Sequence, residues 1–413
     1  MKILLFSHMP EFSSYKYHYP GGSWIAMLAK GLTEAGHEVG LVGFSKESFF
    51  AFENGNIKLY SLISQRNNPV SRLFYNITHS ITESTNINEY KKIIEDFGPA
   101  IIQIFGTESE HALNVYALQI QIPTIIHIQG LANPCFLTWS KASVSNPYIF
   151  FKSKILKTIR GSGFFHDYYR FKKIAEREKI ILSKTKHLMG RTLWDKSVAA
   201  VLAPNANYYH CDEIMRDEFQ NSKWEFQSRS EIIISTVINE NIYKGIDTIF
   251  ETVNILEELN VNYRWNIIGI KTNSQLVDLF KFKLKSKKHL SKLNFTGIKQ
   301  SNEIVDILLN SSVFVHTSHI DNSSNSVCEA MQLGIPVISS NVGGINSLIE
   351  DGKTGLLFSD GDAYRLVSLI QSINKQDIAS HISKNAREIS LIRHNSTRIV
   401  GDLMKIFKIV INE

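Results

Sequence analysis

Two carboxylates lie eight residues apart at the ends of the run Asp321-Asn-Ser-Ser-Asn-Ser-Val-Cys-Glu329. The intervening residues predict a short helix that begins near Asn325. The first N–H groups of a helix have no partner within it, and its dipole adds positive charge there, so phosphate binds well at such a start. We expect Asn325, Ser326 and Val327 to contribute these N–H groups and Glu329 to accept hydrogen bonds from neutral hydroxyls. Phosphate beside hydroxyls is the chemistry of a nucleotide sugar.

The residues after Glu329 predict the end of this helix and the start of a strand. Gly334 is typical of a helix C-terminus, Pro336 cannot continue the helix, and the β-branched run after it predicts a buried strand. Gly343-Gly344 comes next, and because glycine has no Cβ, the backbone there can approach a ligand closely.

The segment from Asp321 to Phe358 resembles the donor-site signature of the retaining glycosyltransferases of family 4, whose motif is usually written Glu-x7-Glu. The first acid here is Asp321, one methylene shorter. The resemblance implies the glycosyltransferase B fold, in which two doubly wound Rossmann-like α/β domains face each other across a cleft. It also implies sugar transfer from a UDP- or GDP-sugar with retention of configuration, without a metal or other cofactor. Glu329 and Asp321 would then hold donor hydroxyls, with Glu329 on the ribose.

Two further positions match the family's diphosphate site. Lys244 precedes Gly245 and a helical pattern, where the family keeps a lysine that neutralises the donor diphosphate; the alternative is a surface lysine. Gly21-Gly22 lies between the first strand and the first helix and resembles the family's glycine-rich loop near the donor phosphates; the alternative is a flexible turn. The arginine that the family usually places five residues before the lysine is Asn239 here.

Arg191 is the best substitute for the missing cation. It follows a predicted strand in Gly190-Arg191-Thr-x-Trp-Asp195, and a guanidinium fits phosphate with two hydrogen bonds; the alternative is a salt bridge to Asp195. Gln129 occupies the position where many family members have a histidine that contacts the transferred sugar. Its amide can bind a hydroxyl. His127, two residues earlier on the same strand face, suits a core histidine, and the alternative is that His127 contacts the sugar.

Two acids, Glu108 and Glu110, come after another predicted strand of the first half. Either can orient an acceptor hydroxyl, and both also suit the start of a helix.

Alternating strand-like and helix-like segments organise the whole chain. The absence of Gly-x-Gly-x-x-Gly after the first strand argues against a dinucleotide cofactor. The predicted strands are Lys2–Phe6, Glu38–Val42, Ile101–Ile104, Thr124–Ile128 and His187–Met189, and then Ile232–Ile234, Trp265–Gly269, Leu293–Gly297, Val313–His316 and Pro336–Ser339. We expect an acceptor-binding domain at 1–212, a nucleotide-sugar domain at 213–390, and a C-terminal helix at 391–413 that packs back on the first domain.

The composition indicates the class of protein and its cellular compartment. The chain has 413 residues, 43% hydrophobic and 20% charged, which suits two globular domains, and no apolar run reaches the roughly 18 residues of a membrane span. Its three cysteines are scattered, without metal-ligand spacing, so we expect a reducing cytosol.

A basic, aromatic-rich segment at 150–173 carries much of the net charge of +6. Basic residues interleaved with aromatics suit anionic lipid headgroups, and the alternative is a solvated helix with its aromatics in the core. We expect a peripheral position on the inner face of the cell membrane, no nucleic-acid partner, and a lipid-linked saccharide acceptor for capsule, exopolysaccharide or O-antigen synthesis.

Two other functions stay open at this point. A nucleotide-sugar 2-epimerase shares the fold but would bring more ionisable groups into the sugar pocket. The departures at Asp321, Asn239 and Gln129 also allow a non-catalytic descendant that binds sugar nucleotides or acts as a scaffold.

Overall fold

The computed structural model describes residues 1–7, 23–45, 51–54, 56–63, 87–144 and 163–413. Contacts between Cα atoms divide these residues into two compact units. The first unit comprises the described parts of Met1–Phe136 and Ser153–Ile214 together with Asn395–Glu413, and the second comprises 137–144 and Met215–His394.

The division departs from the sequence prediction in three places. The chain enters the second unit at Met215, two residues later than expected, and it returns to the first unit at Asn395 rather than at 391. Residues 137–144 also belong to the second unit rather than to the first. A domain boundary drawn along the sequence assumes that each stretch packs with its chain neighbours, whereas 137–144 is grouped by its contacts in space.

One sheet of eight described strands forms the first unit, in the order β3-β4-β2-β1-β5-β6-β7-β8. All neighbouring strands are parallel except β3, which pairs antiparallel with β4 at the edge. The strands are β1 (Lys2–Ser7), β2 (Glu38–Ser45), β3 (Ala51–Asn54), β4 (Ile57–Ile63), β5 (Ile101–Phe105), β6 (Thr124–His127), β7 (His187–Gly190) and β8 (Asn207–His210).

The helices of the first unit cover both faces of this sheet. They are α1 (Ser23–Glu34), α2 (Ile87–Phe97), α3 (His111–Ala117), the start of α4 (Ala132–Val144), α5 (Phe164–Lys184), α6 (Leu193–Leu202) and, near the C-terminus, α14 (Ser396–Asn412). Two apolar clusters result, because alternate residues of the parallel strands face opposite sides: Ile3 and Leu5 lie in one cluster, Leu4 and Phe6 in the other.

Helix α14 packs in the same cluster as α1. The side chain of Asn395 accepts a hydrogen bond from the backbone N–H of Arg398 and caps the helix, and its apolar stripe includes Ile399, Leu403 and Phe407, all buried.

The second unit has a fully parallel sheet of six described strands in the order β11-β10-β9-β12-β13-β14. Its strands are β9 (Ile232–Val237), β10 (Tyr263–Ile268), β11 (Leu293–Gly297), β12 (Val313–His316), β13 (Val337–Ser340) and β14 (Leu356–Phe358). Its helices are α7 (Asp217–Asn221), α8 (Ile246–Glu258), α9 (Gln275–Phe280), α10 (Ser301–Leu309), α11 (Asn325–Leu333), α12 (Ala363–Ser372) and α13 (Gln376–Arg393), with 3₁₀ turns at Ile242–Lys244, Lys281–Lys283, Lys287–Lys292 and Ile345–Ser347.

Strand order reverses direction between β9 and β12. From β9 the chain builds outward through β10 and β11, and it then returns to place β12 on the other side of β9. Such a reversal opens a crevice beyond the carboxyl ends of the two strands, where ligands of open α/β sheets bind. The loops that carry Lys244 and Asp321 leave the sheet at these two strand ends.

The segment from Asp351 to Leu357 leads into the edge strand β14 and does not form a β-hairpin. The turn at its start is tight, with the N–H of Gly352 donating to the carbonyl of Gly355, but Leu356–Phe358 pairs parallel with β13. A parallel edge strand needs a crossover, which Asn341–Thr354 supplies.

No helix among the described residues is long and apolar enough to cross a bilayer.

Candidate functional site

An ion pair links the two strand ends at the reversal point of the second unit. Lys244 Nζ lies 2.7 Å from Asp321 Oδ2, and both side chains are largely but not wholly buried. The same oxygen lies 3.0 Å from His316 Nε2 and accepts a 3.4 Å hydrogen bond from Ser318, while Oδ1 accepts the N–H of Asn322 at 3.1 Å. The carboxylate of Asp321 is therefore the centre of a polar network.

The pKa of Asp321 is set by opposing effects. Burial alone would raise the pKa of this carboxyl, but the ammonium of Lys244 and the bond from His316 outweigh burial and hold the pKa well below its usual range. Asp321 is thus ionised at neutral pH. An ammonium carries three donors, and Asp321 engages one of them, so Lys244 retains donors for a phosphate.

Two glycines with positive φ let the loops of this network pack backbone against backbone. Gly245 has φ +73°, and a Cβ there would lie 1.9 Å from the carbonyl oxygen of Thr317; Gly343 has φ +51°, and a Cβ there would lie 1.9 Å from that of Asp321. The hydroxyl of Thr317 donates to the carbonyl of Lys244, and the N–H of Gly344 donates to the carbonyl of Asp321.

These contacts change the interpretation of Gly343-Gly344. The sequence suggested that the missing side chains make room for a ligand. In the structure the close neighbour of Gly343 is the backbone of Asp321, so the glycine pair first of all holds the Asp321 loop in place.

Helix α11 begins at Asn325, as the sequence predicts. The N–H of Cys328 donates to the carbonyl of Ser324, which is the first bond of the helix. Within the described part of the chain, the preceding N–H groups of Asn325, Ser326 and Val327 have no acceptor. Three N–H donors at a positive helix end suit an anion, and Lys244 is bonded to Asp321, four residues before Asn325.

Glu329 lies on the first turns of α11 and is held by a residue that the sequence analysis did not identify. The guanidinium of Arg216 makes two parallel bonds to the carboxylate, Nε to Oε1 at 2.6 Å and Nη2 to Oε2 at 2.7 Å, and it lies over the ring of Phe219, 4.6 Å from the centroid. Burial raises the pKa of Glu329, and Arg216 opposes that rise. Glu329 thus meets a guanidinium on one side, where hydroxyls alone had been expected.

A charged histidine fastens the loop between β12 and Asp321. His319 lies between two carboxylates, with Nε2 2.9 Å from Asp247 and Nδ1 2.6 Å from Asp360. Burial would lower the pKa of this imidazole, but the two carboxylates outweigh burial and raise the pKa to about 10. The N–H of His319 also donates to the carbonyl of Tyr243, so the loops after β9, β12 and β14 are joined at one residue.

In the first unit, Arg191 is engaged differently from both expectations. Its guanidinium pairs with the carboxylate of Glu213 and donates to the carbonyl of Gln129 at 2.7 Å, and the residue is only 3% exposed. Asp195 accepts the backbone N–H of Arg191, not its side chain, and closes a capping box with Thr192 at the start of α6. The side chain is thus buried against an acid, and a contact of Arg191 with phosphate stays a prediction.

Gln129 and His127 lie at the end of β6 in different surroundings. Gln129 is half-buried, and its carbonyl carries the bond from Arg191. His127 is buried beside Trp24, Phe105 and Gln103, the environment of a core residue, and burial lowers the pKa of its imidazole. Contact of Gln129 with a sugar stays a prediction.

Three acids cluster where β5 ends. Glu108 packs against Gly106 and Gly130, and burial raises the pKa of its carboxyl to about 7, with backbone N–H groups opposing the rise. Glu110 lies 3.6 Å from Arg177. Glu178 is fully buried and caps α4, accepting the N–H groups of residues 132 and 133 at 2.8 Å, the Asn133 amide and the Thr107 hydroxyl.

Several sequence predictions fall outside the described residues. Gly21 and Gly22 do, and so does the basic segment before residue 163. In the described remainder of that segment, Tyr169 is 47% exposed, and the ring of Tyr168 lies 5.3 Å from that of Phe136.

Among the described residues, no group of three or more His, Cys, Asp or Glu side chains is arranged to hold a metal ion. The expectation that transfer needs no metal stays a prediction.

Comparison with protein families finds a match for most of the second unit. Residues 217–389 match the family model described as glycosyl transferases group 1. The sulfoquinovosyl transferase SQD2 of Arabidopsis thaliana is 35% identical over 98 residues, 23% of this chain and 19% of that protein. The capsular polysaccharide biosynthesis glycosyltransferase CapM of Staphylococcus aureus is 24% identical over 171 residues, 41% of this chain and 44% of that protein. The chain thus spans less than half the length of these relatives.

Solved structures share the fold over nearly the whole chain. Sucrose-phosphate synthase from Thermosynechococcus elongatus has a TM-score of 0.73 at 15% identity and covers 98% of both chains. Anabaena HepE in complex with UDP and glucose has a TM-score of 0.65 at 13% identity and covers 99% of both chains. The predicted α/β architecture of two doubly wound Rossmann-like sheets is confirmed.

Proposed function

Since residues 217–389 match the family model of the glycosyl transferases group 1, we propose that the protein transfers a sugar from a UDP- or GDP-sugar to a saccharide acceptor with retention of configuration. The observation that carries this proposal is the juxtaposition at the strand reversal of the second unit. Lys244, held by Asp321, and the three N–H groups that open α11 lie at one strand edge and fit a diphosphate.

The chemistry that these groups support is departure of a nucleoside diphosphate. When the bond between the anomeric carbon and the phosphate oxygen breaks, negative charge develops on the diphosphate, and fixed donors stabilise that charge more strongly in a largely buried site than in water. The acceptor oxygen forms the new bond to the anomeric carbon, and its proton passes to the departing phosphate oxygen. This balance requires no general-base carboxylate.

The nucleoside end of the donor then extends along α11. Glu329 lies one turn beyond the N–H groups, where its carboxylate can accept ribose hydroxyls. The complexes of HepE with UDP and with UDP-glucose support a nucleotide-sugar ligand for this fold.

For the acceptor we propose a lipid-linked saccharide of surface polysaccharide synthesis, reached by peripheral attachment to the cytoplasmic face of the membrane. The role of CapM in capsular polysaccharide biosynthesis supports this, and so does the basic composition of 150–173. The test replaces Lys152, Lys154, Lys157 and Arg160 with Glu. Loss of binding to vesicles rich in anionic lipid is expected, and unchanged binding would remove the membrane proposal.

Release of nucleoside diphosphate from a panel of UDP-, GDP- and ADP-sugars tests the transferase. We expect release from one donor, and a loss of roughly 100-fold or more in Lys244→Ala, since one fixed donor at a developing charge contributes about 10²-fold to 10³-fold. Glu329→Ala should also reduce release, because the ribose hydroxyls of the donor lose their acceptor. Lys299→Ala is the matched control, because Lys299 forms an exposed pair with Glu303 in the same unit.

Two further measurements in this assay test the absence of a metal requirement and the retention of configuration. Turnover that persists in EDTA supports transfer without a metal, and the anomeric coupling constant of the product reports retention. A new nucleotide-sugar peak without acceptor would indicate an epimerase, and absence of both release and nucleotide binding would indicate a non-catalytic descendant.

A further inference from the structure

The two hydrogen bonds between Arg216 and Glu329 fix the orientation of the Glu329 carboxylate. They are 2.6 Å and 2.7 Å long and hold both carboxylate oxygens against one edge of the guanidinium. The guanidinium is itself held against the ring of Phe219. Neither Glu329 oxygen can turn without breaking one of the two bonds.

The pair leaves acceptor capacity on the carboxylate. A carboxylate has about four lone-pair sites, and Arg216 uses one on each oxygen. Among the described residues no other group donates to Glu329. One site therefore remains on each oxygen, and the two share a fixed plane. A vicinal pair of hydroxyls, such as the 2′ and 3′ hydroxyls of a ribose, matches two acceptors on one carboxylate.

The charge of Glu329 also depends on its contact with Arg216. Glu329 is buried, burial raises the pKa of its carboxyl, nearby Glu218 adds to the rise, and Arg216 opposes it. Without Arg216, the orientation of Glu329 would be lost and the pKa of its carboxyl would rise further, which favours a protonated group with a donor where an acceptor is needed.

We propose that Arg216 is a positioning residue that aligns Glu329 and thereby makes the donor site selective for ribonucleotides over 2′- and 3′-deoxyribonucleotides. This inference rests on the proposed function. The competing explanation is structural: Arg216 is the second residue of the second unit's main segment, which begins at Met215, and its pair with Glu329 ties that entry to α11.

Calorimetry with UDP and GDP and with their 2′-deoxy and 3′-deoxy counterparts distinguishes the two. The native protein should bind one ribonucleotide about 10-fold to 100-fold more tightly than its deoxy forms, as expected for hydroxyls bonded to a carboxylate. In Arg216→Met this preference should fall to within about 3-fold, with the affinity for the deoxy nucleotides nearly unchanged. Glu329→Gln should lose the same preference, and the double variant should lose no more than either single variant.

Two further variants serve as controls for the loss of positive charge at Arg216. Arg216→Lys keeps the charge but makes only one of the two hydrogen bonds, so it should retain part of the preference. Arg264→Met removes an arginine from an exposed pair with Glu231 in the same unit and should leave the preference unchanged. In Arg216→Met the preference that is left should increase as pH rises, because a carboxyl with a raised pKa then ionises more fully, whereas a structural defect would not respond to pH.

Equal weakening of ribo and deoxy nucleotides in Arg216→Met and Arg216→Lys would overturn this inference and leave the proposed function intact. If the native protein bound none of the six nucleotides, the proposed function would fall as well.

Discussion

The near-neutral carboxyl of Glu108 predicts an unusual dependence of stability on pH. Burial raises the pKa of Glu108 from 4.5 to about 7, and repulsion from Glu178 adds to the rise, while the N–H groups of Thr107, Glu108 and Gly130 oppose it. The folded protein therefore binds this proton more tightly than the unfolded chain does. The stabilising contribution is complete below the unfolded pKa of 4.5 and is lost as pH rises through 7.

The magnitude can be worked from the two pKa values. One pKa unit corresponds to about 1.4 kcal/mol, so the raised pKa of Glu108 lowers the free energy of unfolding, relative to low pH, by roughly 3 kcal/mol at pH 8 and by roughly 1 kcal/mol at pH 5. Glu108→Gln removes this cost at both pH values. The free energy of unfolding of the variant, measured against the native protein, should therefore rise by about 2 kcal/mol between pH 5 and pH 8, whatever constant penalty the amide itself introduces.

Thermal unfolding at the two pH values measures this difference. For a unit of this size 1 kcal/mol moves the melting temperature by about 2–4 °C, so the variant should gain roughly 4–8 °C on the native protein from pH 5 to pH 8. Glu95→Gln, at an exposed acid that pairs with Lys91, controls for loss of one negative charge and should show no such trend. Equal melting shifts of Glu108→Gln at both pH values would refute the reasoning.

Two further substitutions test the packing around the sites. Gly343→Ala should destabilise the second unit by roughly 2–4 kcal/mol and weaken nucleotide binding, because φ is +51° and the new Cβ meets the Asp321 carbonyl. Gly352→Ala is the control: with φ +75° and open space around the new Cβ, it should cost only about 1 kcal/mol and leave nucleotide binding unchanged in calorimetry. Glu178→Gln should lower the free energy of unfolding by roughly 2–4 kcal/mol and expose the start of α4 to hydrogen exchange, because the new amide nitrogen faces N–H donors. Glu176→Gln, at a partly exposed acid on the same helix, is the control, and comparable losses in the two variants would contradict the capping role of Glu178.

The sequence predicts the sheet elements whose apolar runs are sharply bounded. Leu293–Gly297 and Val313–His316 agree with the structure residue for residue, and α11 begins at the predicted Asn325. Glycines and polar residues flank these runs, so local signals suffice. Strand β8 (Asn207–His210) was not predicted, because its residues are exposed or half-buried at the sheet edge and form no apolar run.

The site was predictable only where its partners belong to a local motif. Lys244 and Asp321 were identified, but not their direct contact, which spans 77 positions. Arg216 was missed because it lies 113 positions from Glu329, in a polar stretch without periodicity. For Arg191 the local pattern pointed to Asp195, whereas the guanidinium pairs with Glu213, 22 positions away. A sequence pattern can indicate a charge, and only the fold decides which opposite charge meets it.

The ion pairs at the donor edge also bear on how a donor would arrive. Within the described part of the second unit, Lys244 is paired with Asp321 and Arg216 with Glu329. His319 and Lys283 together balance Asp247 and Asp360. Beyond a Debye length, about 8 Å at physiological ionic strength, such pairs act as dipoles and attract an anion only weakly. These pairs therefore contribute little long-range steering, and the attraction that they offer a diphosphate is felt at contact, where added salt screens it least.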